Sequence, residues 1–488
     1  MKGRLCGTEG EELAANYIAR RMTELKLKPY QANSYIHPFT FREGKRVSSK
    51  AYFSMLGTRL NIGSDVIPLP YSGGDRISGS AMPGVDEKEN LWLVPVKPLA
   101  LESSRQPDKI LYEKAKLCIE QGASAVVFFN DASQALDRSM ESQSKFEKLT
   151  APVVYLNFRS YQNVLKPGLK SDWIDIDARL GFEDANITGR NVCGMIDHYA
   201  LQTVLICCDY DHLGSEPQIY PGANHNASAV ASLLALGARI QENDFKNYNY
   251  LLVAFSGSEN HFQGVQQFIK ENGNRLGDIK YVIDLSRMGQ LNRSSREVFI
   301  SGVGSSATWG EWLQRNNKNF ALRMDSSGSG YGSYSWFYHI QKPVLCFSTG
   351  FGIDYHRVSD EASRINYQGQ QEINQFVFQL LADMENVPVP VFQTTNNLAE
   401  RIAALKNDMG IIPDYSFADD GIRIAACLFH KAADKSGLQA DDIITQIGEF
   451  PVIDFDDFMK VMNKIEAGRE TPVTVKRGKN EFKFYLSF

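Results

Sequence analysis

The sequence predicts an α/β protein: a mixed, mainly parallel sheet sandwiched by helices, a second α/β module set into it, and a separate C-terminal block. Three observations predict this. From residue 190 on, apolar strands at 203–208, 250–256, 281–285 and 343–348 alternate with helical stretches such as 226–240, the order of a parallel sheet covered on both faces. Between 89 and 180 the pattern runs strand, helix, strand, strand, with a polar loop at 131–148. The prolines of 387–392 end the long helical stretch that begins near Asp360, and a helical linker leads into the last block.

The chain opens with a helix that Thr8 and Glu11 announce as a capping box, followed by Leu13, Ala14, Tyr17, Ile18, Met22 and Leu25 at three-and-four spacing. Its 488 residues suggest three domains at about 150 residues each. A formal net charge of −5, with 43% hydrophobic and 22% charged residues, is ordinary globular chemistry and disfavours a nucleic-acid partner. No apolar run reaches the ~18 residues a membrane helix needs, so no integral membrane segment is expected. The seven cysteines form no Cys-x-x-Cys pair, and neither a disulfide framework nor a thiolate zinc site is indicated.

Four polar constellations fall where the alternation puts strand exits: 208–214, 222–228, 256–260 and 354–357. Ligands of open α/β sheets bind at such exits, and imidazoles with carboxylates at one sheet edge suggest a metal. Taken singly, Asp211 or Asn226 serves equally well as a loop or helix cap.

Tyr-Asp-His-Leu-Gly at 210–214, Tyr-Pro-Gly-Ala-x-x-Asn-Ala-Ser at 220–228, Phe-Ser-Gly-x-Glu at 255–259 and Asp-Tyr-His-Arg-x-Ser-Asp at 354–360 resemble, in order and spacing, a bacterial leucine-aminopeptidase family of co-catalytic zinc exopeptidases. Glutamate carboxypeptidase and the non-enzymatic transferrin receptor are wider relatives. Lys-Gly-Arg-Leu-x-Gly-Thr-x-Gly at 2–10 extends the likeness over most of residues 1–385. The resemblance implies a zinc-exopeptidase-like domain at 1–64 and 189–392, a protease-associated insert at 65–188 and a PDZ domain at 400–488.

Carried over by position, the resemblance implies an altered centre. Asp209 stands where the family has its first histidine ligand, His225 where it has the bridging aspartate, Ser258 where it has the general base, and Ser286 where it has another aspartate ligand. Glu259 and His356 are retained ligands, and Asp211 is the retained supporting aspartate. Gly332-Ser333-Tyr334 replaces a Ser-Asp-His segment.

A bridging carboxylate holds two cations, whereas a neutral imidazole offers one lone pair. His225 therefore argues against a two-metal centre and leaves one zinc, or none, at His225, Glu259 and His356, with Asp209 as a fourth candidate ligand. A serine hydroxyl is no proton acceptor near neutral pH, so Ser258 cannot replace the base, and a nucleophilic Ser258 would need a neighbouring base. His261 is an alternative imidazole, or simply a surface histidine.

Within the C-terminal block, Met409-Gly410-Ile411-Ile412 resembles a PDZ carboxylate-binding loop. That implies peptides or protein C-termini as partners, received by Gly410, Ile411 and Ile412; the groove could equally be filled by the protein itself. Phe482, Phe484 and Phe488 alternate as core residues do. Relatives reach the Gly-Arg-x-x-Gly-Thr motif some tens of residues into a secreted precursor, so the expected location is bacterial periplasmic or extracellular, with a signal segment absent from this chain. The expected function is an aminopeptidase homologue without two-metal activity that binds peptides or proteins; the alternative is an active single-zinc aminopeptidase acting on short peptides.

Overall fold

A computed structural model of the chain describes all residues except 1, 32, 49, 100, 102–106, 140–145, 216–217, 396–404, 406, 415–416, 418, 429–430, 466–469 and 488. The expected linker helix and Phe488 lie outside the described residues. The chain forms two compact units, one of Met1–Phe41 with Ile187–Phe488, the other of Arg42–Asn186.

In the first unit the elements follow as α1 (Glu9–Glu24), β1 (Phe182–Ile196), β2 (Thr203–Asp209), α2 (Ala229–Glu242), β3 (Asn249–Phe255), α3 (Gln263–Glu271), β4 (Ile279–Ser286), β5 (Glu297–Ser301), α4 (Trp309–Asn316), β6 (Ala321–Met324), α5 (Tyr334–His339), β7 (Val344–Ser348) and α6 (Tyr367–Met384). The sheet order is β1, β3, β2, β4, β7, β5, β6, with Lys28–Pro29 and Ile36–Val47 also pairing with β1. β3, β2, β4 and β7 run parallel, while β1 and β5 are antiparallel to their neighbours β3 and β7.

Strand alternation divides the core in two. Val204, Ile206 and Cys208 face the cluster that includes residues of α2 and α6, whereas Leu205 and Cys207 face the cluster that includes α3 and α5. Adjacent Cys207 and Cys208 thus point to opposite faces, and none of the seven cysteines forms a disulfide.

Helix α1 departs from the expected capping box. Thr8 does accept from the Glu11 amide at 3.5 Å, but the Glu11 carboxylate turns inward instead of back to the Thr8 amide. Fully buried, it accepts from the Arg190 amide (2.9 Å), the Arg190 guanidinium (2.7 Å) and the Tyr210 hydroxyl (2.7 Å). A buried carboxylate needs this full set of donors to offset its lost hydration, and the set ties α1 to β1 and to the loop after β2.

The C-terminal block of this unit contains β8 (Ile411–Pro413), β9 (Ile422–Cys427), β10 (Ile443–Ile447), α7 (Phe455–Lys464), β11 (Glu470–Arg477) and β12 (Asn480–Ser487). The order β8, β9, β10, β11, β12 leaves one side of β8 without a strand partner among the described residues. Buried Asp442 is held by Arg477 at 2.6 and 2.7 Å. Phe482 corrects the expectation from its spacing: it is 40% exposed and lies beside Arg477, as does the partly buried Phe484.

The Arg42–Asn186 unit has two four-stranded sheets. Tyr52–Met55, Thr58–Leu60, Arg76–Ala81 and Ile174–Arg179 form one; Val66–Pro68, Leu91–Pro95, Ala125–Phe129 and Val153–Leu156 form the other, with the helix Pro107–Glu120 packed on it. It takes in strands before residue 65 because Tyr52–Met55 pairs with Ile174–Arg179.

Replacing Glu11 with alanine leaves the buried Tyr210 hydroxyl and the Arg190 amide without their shared acceptor. The expected loss is about 3 kcal/mol of unfolding free energy, read from denaturant titration followed by circular dichroism, with Glu11→Gln losing less. A change below about 1 kcal/mol in Glu11→Ala would show that these bonds do not hold the helix.

Candidate metal centre

The loops leaving β2, β3 and β7, together with the turn that starts α2, converge at one edge of the sheet. His212 follows β2, Glu259 follows β3, His356 follows β7, and His225 sits in the turn Ala223–Ser228 before α2. One donor atom from each of these residues lies within 4.8 Å of the other three. Glu259 Oε1 is 3.4 Å from His212 Nδ1, 3.7 Å from His225 Nδ1 and 3.2 Å from His356 Nε2.

Loop geometry is fixed by three surrounding groups. The Arg4 guanidinium donates to the carbonyls of Tyr210 (2.8 Å), Pro221 (2.8 Å) and Gly222 (2.9 Å), joining the His212 and His225 loops. Asp360 accepts from the amides of Asn224 (2.8 Å) and His225 (3.0 Å). Asp211 accepts from the Ser258 amide (3.1 Å) and hydroxyl (2.7 Å) and from the Glu259 amide (3.3 Å). Gly222 has φ +56°, and a Cβ there would stand 2.3 Å from the His225 carbonyl oxygen and 2.5 Å from the His212 ring. Only glycine meets both demands.

The donor set fits a cation. His212 Nδ1 and Nε2, His225 Nδ1, Glu259 Oε1, and His356 Nδ1 and Nε2 are buried without hydrogen-bond partners, a costly arrangement unless the lone pairs serve another purpose. Ligands at zinc's ~2.1 Å in tetrahedral array stand about 3.4 Å apart, close to the separations around Glu259 Oε1. Burial pushes the His212 imidazole below its ordinary value and the His225 imidazole well below, favouring the neutral, lone-pair-bearing form. Burial would raise the Glu259 carboxyl, but His356 and His212 outweigh it and hold it well below the usual range.

The sequence-derived candidates separate here. His225, Glu259 and His356 come together, and their fourth companion is His212 instead of Asp209. Asp209 accepts from the Ser333 hydroxyl at 2.7 Å. Burial, then the charges of Asp284 and Asp211, push its carboxyl well above the ordinary range, so its neutral form is a poor ligand. Ser286 ends β4 outside the four-donor group. Ser258 is close to the centre but spends its proton on Asp211. His261 has an exposed position and is not in the group. Gly410, Ile411 and Ile412 belong to the C-terminal block: Gly410 precedes β8 with φ +75°, and Ile411 and Ile412 begin it.

Sequence reasoning missed His212, although it stands inside the quoted Tyr-Asp-His-Leu-Gly motif. It also missed the partly buried Arg4 and the buried Arg287, and gave Asp360 no role.

His212→Ala is expected to weaken zinc binding by about 10- to 100-fold, measured by competition with a chelating dye. Asp209→Ala should leave the affinity within about threefold. The reverse ranking would return the fourth position to Asp209.

Residues 191–381 match Peptidase family M28, and residues 407–487 match the PDZ domain. No curated protein sequence matches the chain. Among solved structures, the chain is similar to an aminopeptidase from Aneurinibacillus sp. strain AM-1, with 15% identity and a TM-score of 0.44 over 81% of this chain and 93% of that one. It is similar to a zinc aminopeptidase from Bacillus subtilis, with 17% identity and a TM-score of 0.45 over 81% and 95%. A Peptidase M28 precursor from Shewanella amazonensis has 18% identity and a TM-score of 0.43 over 81% and 92%. The donor group thus lies within the segment 191–381 that matches Peptidase family M28, and the segment 407–487 that follows it matches the PDZ domain.

Proposed function

We propose that this protein binds a single zinc ion through His212, His225, Glu259 and His356, lacks two-metal peptidase chemistry, and serves as a peptide-binding member of an aminopeptidase-type scaffold. The observation that carries this reading is the contrast between four residues with converging, unpartnered donors and two residues whose polar groups are already engaged. Asp209 is bonded to Ser333, and Ser258 to Asp211.

A zinc ion at this site would lower the pKa of a bound water to about 7 and polarise a carbonyl. Ser258 cannot take up the proton that hydrolysis releases, because its hydroxyl is a donor in a buried bond to Asp211. Asp211 itself, pushed up to about 7 by burial and then by Glu259, is occupied by the Ser258 and Glu259 amides. No side chain is thereby left in the family's base position to carry a proton to a leaving amine. The four-donor group also favours a second reading, a single-zinc aminopeptidase for short peptides.

Peptide binding is supported by the groove between β8 and α7. Met409–Pro413, Leu428, Phe458 and Met462 help line a cavity of about 380 Å³ there, beside the free edge of β8. A peptide's C-terminal carboxylate would meet Gly410, Ile411 and Ile412 and its backbone would extend the sheet. The Gly410 amide now donates to Asp408 at 2.8 Å, so an incoming carboxylate would take over that bond. Residues 65–188 are assigned as a protease-associated insert on the resemblance of their sequence, and a periplasmic or extracellular bacterial location on the same ground.

Mass spectrometric metal analysis of dialysed protein, with turnover of aminoacyl anilides and short peptides, tests this reading. One zinc per chain and no turnover are expected. Turnover abolished by His356→Ala would establish the second reading in its place. The combined Asp209→His, His225→Asp, Ser258→Glu and Ser286→Asp variant should gain a second ion; a well-folded variant that binds no second ion would defeat the account of how two-metal binding was lost.

A further inference from the structure

Arg287 immediately follows Ser286 at the end of β4 and is only 6% exposed. Its Nε has no hydrogen-bond partner, and no carboxylate among the described residues lies within ion-pair distance of it. The Phe351 ring lies 4.0 Å from the guanidinium carbon. A buried cation without a counter-ion is costly, and a ring face offsets only part of that cost. The backbone also holds it in place: φ is +48°, a left-handed conformation unusual for arginine, and the Thr349 amide donates to its carbonyl at 3.0 Å.

The guanidinium lines a cavity of about 300 Å³, the size of a small ligand site. The two other arginines on that lining are already paired, and the carboxylates of Asp325 and Asp441 also line it. Arg323 pairs with Glu297, Arg423 pairs with Asp414, and Asp325 accepts from the Ser327 amide at 2.9 Å. The cavity lies one ring away from the metal centre. Phe351, on its wall, meets Tyr355 edge-on at 4.8 Å, and Tyr355 stacks on His356 at 3.9 Å.

We infer that Arg287 is the receptor for the α-carboxylate of a short peptide or N-acylated amino acid, whose remaining atoms extend toward His356. A planar guanidinium matches a carboxylate with two parallel bonds, and the ligand supplies the negative charge that the fold leaves out. The inference rests on the reading above only for the zinc beside the cavity. It adds a ligand class, defined by a free carboxyl end, that the four donors do not specify.

Calorimetric titration of the zinc-loaded full chain with N-acetylleucine and with its C-terminal amide tests it. Both probes are too short to add a strand to β8. The acid is expected to bind at least about 10-fold tighter than the amide. Arg287→Met should remove the difference, and Arg287→Lys, which keeps the charge without the fork, should retain part of it. Equal binding of acid and amide to the unaltered chain, binding of neither, or an undiminished acid preference in folded Arg287→Met overturns the assignment. Because the acid and amide are compared on the unaltered chain, a misfolded variant does not block the test. Metal content measured on the same samples separates the two claims: one zinc without acid preference defeats only the Arg287 assignment, and acid preference without zinc defeats only the metal reading.

Discussion

A single guanidinium organises the loops of the metal centre. Arg4 lies outside the strands and helices, and its three bonded carbonyls belong to two loops, one carrying His212 and the other His225. In return its own carbonyl accepts from the His212 amide at 2.9 Å. Burial lowers the Arg4 pKa, against which the charges of Asp211 and Asp360 act. Those same carboxylates hold the amides of Glu259 and His225. A guanidinium and two carboxyl groups, bonded mainly to backbone groups, therefore fix three of the four donors without using the donors' own side chains, which remain available for metal.

The altered positions form a second connected set. Asp209, Ser286 and Ser333 are positions where the resemblance in sequence implies replaced residues. Ser333 bonds Asp209, and the neighbouring Tyr334 amide bonds Asp284 at 2.9 Å. Asp284 is pushed up to about 7, by burial first. Two buried carboxyls that would repel each other as anions are thereby accommodated by hydrogen bonds and by raised pKa values.

The PDZ domain meets the peptidase domain close to that chemistry. Tyr355, Ile412 and Ala426 form a small apolar cluster with Tyr331 and Phe351 against it. Ile412 comes from the strand that would receive a peptide, while Tyr355 stacks on a metal-site histidine. Tyr331 lines both the PDZ groove and the Arg287 cavity. Peptide groove, carboxylate cavity and metal centre thus share a short run of aromatic side chains within one compact unit.

Much of this was legible in the sequence because it depends on local order. The alternation of apolar strands such as 203–208 and 250–256 with helical stretches predicted the parallel sheet, and the polar constellations at strand exits placed His225, Glu259 and His356 at one sheet edge. The sequence by itself also determined that Ser258 could not serve as a base, since that follows from the chemistry of a hydroxyl. Tertiary structure alone decided that His212 and not Asp209 completes the donor group. Those residues are three positions apart, Asp209 ending β2 and His212 in the loop after it, and the choice between them depends on burial, on Ser333 124 residues from Asp209 in sequence, and on Arg4, far away in sequence but bonded to the same loop. It likewise turned Glu11 from a cap into a buried anchor and left Arg287 unpaired beside a cavity. A sequence states which charges exist, but only the folded chain decides which of them are matched.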